Sequence, residues 1–394
     1  MPSRILGPLG IAAFLIYFLG LPAVVSARPD PPIPSPTGTP QPRAVVIAAR
    51  ASKVSQLVGD FDNERNQPTD NLTASRYKLD ATDLGVPFRH KDRTYVLFGD
   101  TIGARGGDAI AFTTDSNADD GLDLEFIRDP SGTYQPIIIP GISQGDYEVP
   151  TAGVSVGGRM YVYHTTDAIA GDGWADMGRS VVAVSDDDGQ SFTYLYDLSR
   201  RYFINVSIEQ VDTGLMIFGS GKYRRSNVYL AYQPEVEITT PTSLRYWSGV
   251  GETGEPLWSA REDAAQPLFD QPCVGEFSVT YNRFIRKWLM LYNCDSPRGI
   301  NLRTADQPWG PWSEPQVIFE PWNDKGYCYF MHTNWQFRQC DQVQDRGEEN
   351  KWGGEYGPYQ FADFATGDDT TTTIYFTMST WNPYTVVLMK ARLQ

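Results

Sequence analysis

Short β-rich runs recur in pairs along almost the whole chain, and no window of helical length carries a 3.6-residue apolar period. Residues 85–89 pair with 94–98, 152–156 with 160–164, 203–210 with 215–218, 277–281 with 288–292, and 359–364 with 373–378. Gly, Asp, Asn and Pro punctuate them, as turns between strands require. After most pairs come two further strand-like runs: 109–113 and 124–127, 180–184 and 192–196, 227–232 and 245–247, 299–303 and 315–319. An isolated hairpin is not stable in water, so such units must stack. Four strands per unit, five times over at spacings of about 45 to 80 residues, predicts an all-β fold, a five-bladed β-propeller. The fifth unit offers only residues 386–392 as a third strand, so its outer strand is expected from residues 53–58, an N-terminal strand that closes the ring. A β-sandwich is the competing architecture.

Residues 1–27 read as a secretory leader. Arg4 gives a positive start, residues 9–21 are apolar and uncharged, and Val25-Ser26-Ala27 supplies small residues at a cleavage position. The run falls short of the ~20 residues of a spanning helix, which disfavours a retained anchor. Seven of the fifteen residues from 28 to 42 are proline, so residues 28–43 form an extended spacer and the folded body runs from 44 to 394. The net charge of −15 becomes −16 once Arg4 leaves with the leader, a balance that excludes nucleic acid as a partner. The expected product is a secreted monomer, extracellular or in the cell envelope, with no membrane partner after cleavage. Behind a leader, four cysteines read as disulfides, and three pairings are open. The turn of the fourth hairpin, near residues 282–286, sets Cys273 opposite Cys294, leaving Cys328 for Cys340. With no Cys-x-x-Cys and three His, a zinc site is disfavoured, and no metal or cofactor is expected.

Ser185-Asp186-Asp187-Asp188-Gly189-Gln190-Ser191-Phe192 has the form of an Asp box, a turn between outer strands in sialidase-like propellers. Its carboxylates hold turn amides and its Gly takes a positive φ, so these acids are structural. In a propeller the innermost strand of a blade starts, and the second ends, at the same face of the ring. Those positions select Asp83 and Asp100 in the first unit, Glu148 and His164 in the second with Asp167 just beyond, and Asn205 and Ser220 in the third. They select Glu276 and Asn293 in the fourth, and Tyr356 and Trp381 in the fifth. A tight turn at Lys91-Asp92 would set Asp83 directly opposite Asp100, with Cβ atoms about 5 Å apart.

Two facing carboxylates are the equipment of glycoside hydrolysis: one keeps a proton for the leaving oxygen, the other activates water or attacks the sugar. Retention and inversion are both compatible with this pattern. The competing role for Asp83 is a turn cap, for Asp100 a solvated strand end, and for Glu276 an ion pair with a loop Arg. Glu276, Glu148, Asn205, His164, Tyr356 and Trp381 are candidates to line the substrate pocket, Glu276 as a third carboxylate that serves as the acid or tunes the pair, Tyr356 and Trp381 by stacking on sugar rings. His164 and His332 could hold a channel ion; the competing role is a hydrogen-bonded structural histidine. Two glycosylation sequons occur, at Asn71 and Asn205, the second at odds with a pocket role.

Thr82-Asp83-Leu84-Gly85-Val86-Pro87-Phe88, followed by Leu97-Phe98-Gly99-Asp100-Thr101, resembles the opening of a propeller family catalogued as domain of unknown function 4185. Val274-Gly275-Glu276-Phe277-Ser278-Val279, Pro308-Trp309-Gly310-Pro311-Trp312-Ser313 and Ser379-Thr380-Trp381-Asn382-Pro383-Tyr384 are similar to later motifs of that family. The resemblance covers most of residues 50–394. It implies glycoside hydrolase family 183, endo-D-arabinanases that cut the D-arabinan of mycobacterial arabinogalactan and lipoarabinomannan. It implies an inverting pair, carried here by Asp83 as base and Asp100 as acid. The Cys-bearing segment 321–355 departs from the simplest pattern and bears on the substrate. The alternatives are another arabinan furanosidase, such as an L-arabinanase, and a non-catalytic glycan-binding propeller. A sialidase is disfavoured, because no Arg cluster for a carboxylated sugar can be assigned.

Overall fold

The computed structural model describes residues 44–171, 174–333, 340 and 351–394; the expected leader and spacer lie outside the described residues. Five antiparallel sheets follow one another along the chain. The first blade is Leu79–His90, Arg93–Gly103, Ala109–Thr113 and Glu125–Phe126. The second is Pro150–Val156, Arg159–Thr166, Arg179–Ser185 and Thr193–Ser199. The third is Asn205–Val211, Gly214–Ser220, Val228–Pro234 and Arg245–Val250, with Pro256–Ser259 as an added edge. The fourth is Phe277–Asn282, Lys287–Asp295, Arg298–Ala305 and Gln316–Phe319. The fifth is Gly354–Gln360, Thr372–Trp381 and Thr385–Leu393, completed by Ile47–Gln56 from the start of the chain. The protein is a five-bladed β-propeller closed by an N-terminal strand.

The closing strand begins earlier than its apolar pattern suggests, because Ile47–Gln56 is polar except where it touches the ring. Leu57 and Val58, the most apolar residues of the expected strand, instead lie buried beyond the end of its register. The inner strand of the fifth blade is likewise displaced, to Gly354–Gln360. The aromatics beyond it, Phe361 and Phe364, flank a short turn and fill the core.

The core lies between blades. On the second strand of blade one, Val96 and Phe98 pack toward blade five, while Tyr95 and Leu97 pack toward blade two. Phe376 and Met378 of blade five face blade four, and Tyr375 faces blade one. Both faces of these sheets are covered, so the strands read as continuous apolar runs rather than as alternating ones.

The two expected disulfides are present, Cys273–Cys294 with Cα atoms 5.4 Å apart and Cys328–Cys340 at 5.2 Å. The Asp box connects the outer strands of blade two: Asp187 accepts from Ser191 N at 2.9 Å and from the hydroxyls of Ser185 and Ser191. Asp188 reaches across to His90 at the hairpin turn of blade one. Among the described residues no helix is long and apolar enough to cross a membrane. Asn71 and Asn205 are both buried, so the folded chain does not present either sequon.

Candidate active site

The first hairpin turns at Lys91-Asp92 and pairs His90 with Arg93, as its sequence predicts. The register does not hold to the ring face. A bulge at Leu84-Gly85, where φ is 64° and 86°, shifts the strand by one residue, and Asp83 comes to lie opposite Gly99 rather than Asp100. Gly85 is required there: a Cβ would meet the Thr377 methyl at 2.8 Å. Blade five fastens the bulge, with Leu84 N donating to Ser379 Oγ at 2.7 Å and Thr377 Oγ1 donating to Gly85 O at 2.8 Å. The kink keeps both carboxyls in one site, close enough that the charge of Asp100 acts on Asp83.

Asp83 is buried. Its Oδ2 accepts from the Tyr356 hydroxyl at 2.9 Å, and no described group donates to its Oδ1. Burial first, then the charge of Asp100, pushes its carboxyl well above the usual range, against the phenols of Tyr356 and Tyr384. Asp100 is half-buried and held at φ 39°, a left-handed conformation that Asp tolerates. Its two oxygens accept from Tyr147 N at 3.0 and 3.1 Å. Burial and the neighbouring Asp108 push it up to about 7. Tyr384 joins the two, its hydroxyl donating to Asp100 O at 3.2 Å and lying against Asp83.

The other expected residues fall into distinct places. Glu276 is buried beside the pair and accepts from Arg224 Nε and Nη2, both at 3.3 Å; this is the competing role, an ion pair with a loop Arg, and Arg224 also stacks over the Tyr356 ring at 5.1 Å. The Asn293 amide, turned with its nitrogen toward Glu276, donates to Oε2 at 3.2 Å. Tyr356 is buried, and its hydroxyl rather than its ring face meets the site. Trp381 is 58% exposed at the rim, edge-on to Tyr384 at 6.0 Å. Asn205 is buried at the end of its ladder opposite Ser220.

Glu148 uses its oxygens on Ser143 Oγ, Gly145 N and Ala168 N, at 2.6–2.8 Å. Burial pushes its carboxyl up, but these donors outweigh it and hold the group below its ordinary value. It stiffens the loop that presents Tyr147. His164 is fully buried and faces Asp108, with no surface left for a sugar.

A cavity of about 230 Å³ lies at the opposite ends of the inner strands, among Arg89, Ser155, Glu209, Thr280 and Asp363. Burial pushes Glu209 there up to about 8. Glu209 accepts from the Tyr281 amide at 3.1 Å with Asp363 beside it, whereas the Tyr356 phenol meets Asp83 and the Tyr147 amide holds both oxygens of Asp100; convergent polar groups, not volume, mark the candidate site.

A family model for Domain of unknown function (DUF4185) matches residues 68–390. The chain belongs to the DUF4185 family. No curated protein matches it. The chain is similar in structure to the catalytic domain of the Coprinopsis cinerea GH62 alpha-L-arabinofuranosidase, at TM-score 0.44 and 11% identity over 87% of this chain and 97% of that one. It is similar to the GH43_1 enzyme from Xanthomonas citri complexed with xylotriose, at TM-score 0.45 and 12% identity over 79% and 86%. It is also similar to Zg3597, a family 117 glycoside hydrolase from Zobellia galactanivorans, at TM-score 0.42 and 11% identity over 88% and 90%.

Within this DUF4185 domain, Tyr384, Arg224, Tyr147 and Asp108 complete the site without having been selected by strand position. All four stand on loops or strand starts. Tyr384 closes the Trp381-Asn382-Pro383-Tyr384 turn, and Asp108 follows the Gly106-Gly107 pair that marks a tight loop. Gly-rich punctuation beside a candidate acid was the signal that could have found Asp108.

Proposed function

We propose that this chain is a secreted glycoside hydrolase, an endo-acting furanosidase that cleaves D-arabinan of the arabinogalactan type with inversion. What carries the reading is the Asp83–Asp100 pair: two adjacent carboxyls in different environments, both with raised affinity for a proton. Such a pair holds one proton between its members over a range of pH, which is the working state of an acid/base hydrolase. Burial favours the proton on Asp83, which makes it the acid of the pair in this reading. The amide of Tyr147 favours the charged form of Asp100, which then takes a proton from water attacking the opposite face of the sugar. These roles reverse the order that the sequence resemblance implies. The exposed Trp381 ring is the stacking surface for a sugar in this reading, and the two disulfides suit an oxidising compartment.

The test is product release from D-arabinan and L-arabinan by the purified protein, with Asp83→Asn and Asp100→Asn as controls. Short oligosaccharides from D-arabinan with the native protein alone support the reading. Release from L-arabinan instead moves the substrate, and glycan binding without release by any form makes the chain a binding module.

A further inference from the structure

Against the backbone of Asp100 lies a buried pair that the acid/base reading does not use. Asp108 is 1% exposed and His164 0%. Asp108 Oδ1 accepts the backbone N–H of Asp100 at 3.0 Å. Its Oδ2 lies 2.8 Å from His164 Nε2. His164 Nδ1 is 2.6 Å from Thr165 O, a carbonyl that can only accept, so Nδ1 carries a proton. A second proton therefore lies in the Asp108–His164 bond. The chain Thr165–His164–Asp108 ends on the peptide of Asp100, the residue held at φ 39°. From the front, Tyr147 N holds the Asp100 carboxylate, and Tyr384 donates to its carbonyl. The backbone is thus gripped from both sides at a conformation it does not prefer, as strained functional residues are.

We propose that Asp108 and His164 form a buried positioning dyad that fixes Asp100 in its strained, catalytically aligned conformation and tunes when it ionises. The inference rests on the role proposed for Asp100. Neither residue touches substrate; both act through Asp100. The charged and titratable groups that bear on Asp100 are Asp83, Asp108, Asp146, His164 and Tyr384. Among Asp108, Asp146 and His164, Asp108 acts most strongly and opposes ionisation, while His164 favours it.

Substitution separates position from charge. In Asp108→Asn, the amide oxygen can still accept from Asp100 N and the amide nitrogen can donate to His164 Nε2, so geometry survives and the charge does not. Asp108→Ala removes both. The experiment is a titration of the Asp100 carboxyl by 13C NMR on Asp-labelled protein, the resonance being assigned by its loss in Asp100→Asn. Alongside it runs the pH profile of kcat/KM on D-arabinan. The expected result is a lower Asp100 midpoint in Asp108→Asn, with the acid limb of the profile moving the same way and the best rate within tenfold of native. Asp108→Ala, with circular dichroism confirming its fold, should lose about 100-fold in kcat, the scale of a misplacement of about 1 Å. An unmoved Asp100 midpoint in Asp108→Asn, or native rates in Asp108→Ala, overturns the dyad. Absence of hydrolysis by the native protein sinks the glycosidase reading instead, and leaves the NMR result to judge the dyad by itself.

Discussion

Near pH 7 the Asp100 carboxyl is poised between its two forms, and that is the handle on the chemistry. Below about 7 both members of the pair are protonated and no base is left. The acid limb of kcat/KM should therefore fall through that value, and a pH-rate profile that stays flat from 8 down to 5 would contradict the pair. Asp100→Asn and Asp83→Asn should each lower kcat about 100- to 10,000-fold. Asp83→Asn alone should keep much of its rate on an aryl furanoside with a good leaving group, since such a substrate needs no acid. The reverse pattern would return the acid role to Asp100.

Glu209 gives a second check free of catalysis. Its carboxyl is raised to about 8, so the folded chain holds a proton there that the unfolded chain loses from about pH 4.5 upward. Stability from this group is present at low pH and is lost as pH climbs through 8. Glu209→Gln should therefore melt a few degrees above the native protein at pH 9 and show no such gain at pH 4, by calorimetry.

Among the elements, the first hairpin matters most, because its bulge sets the Asp83–Asp100 pair proposed as acid and base. Gly85→Ala adds a Cβ at φ 86° and 2.8 Å from Thr377. It should cost about 1–3 kcal/mol in urea unfolding, and should reduce kcat by more than that loss of stability explains. A variant that loses stability while keeping kcat would mean that the bulge does not aim the pair. The fourth hairpin is stapled at its open end, where Cys273 and Cys294 close a loop of 21 residues. Replacing both by Ser should cost about 3 kcal/mol. Arg303 donates to Gln271 and Gln271 to Ser296 O, ties that do not depend on the sulfurs and should keep that end of the hairpin in place, so activity should survive in the folded fraction.

On the scale of the whole molecule, the ring is closed by one strand from the opposite end of the sequence. Ile47–Gln56 covers the edge of Thr385–Leu393, and Val54, Leu57 and Val58 fill the cluster between blades five and one. Removing residues 44–58 uncovers that edge and opens the cluster, so the truncated chain should aggregate or melt more than 10 °C below the native protein. A truncated chain that melts with the native one would show that closure does not hold the ring.

The five units, their order, the Asp box and the Cys273–Cys294 staple follow from local patterns: strand-length apolar runs, turn residues and cysteines at a hairpin end; the closing strand and Cys328–Cys340 followed as what those patterns left over. These are readable because a blade is a run of neighbours in sequence. The face on which Asp83, Asp100, Glu276 and Trp381 meet was also readable, since it depends only on where strands begin and end. Tertiary structure alone decided what each residue does there. The one-residue slip at Leu84-Gly85 depends on Ser379 and Thr377 of another blade. The partners that set charge and pose, Tyr356 and Tyr384 on Asp83, Asp108 behind Asp100 and Arg224 on Glu276, reach the site from separate blades or loops. Strand period carries no record of such contacts, because a hydrogen bond across a ring is fixed by closure and not by neighbourhood in the chain.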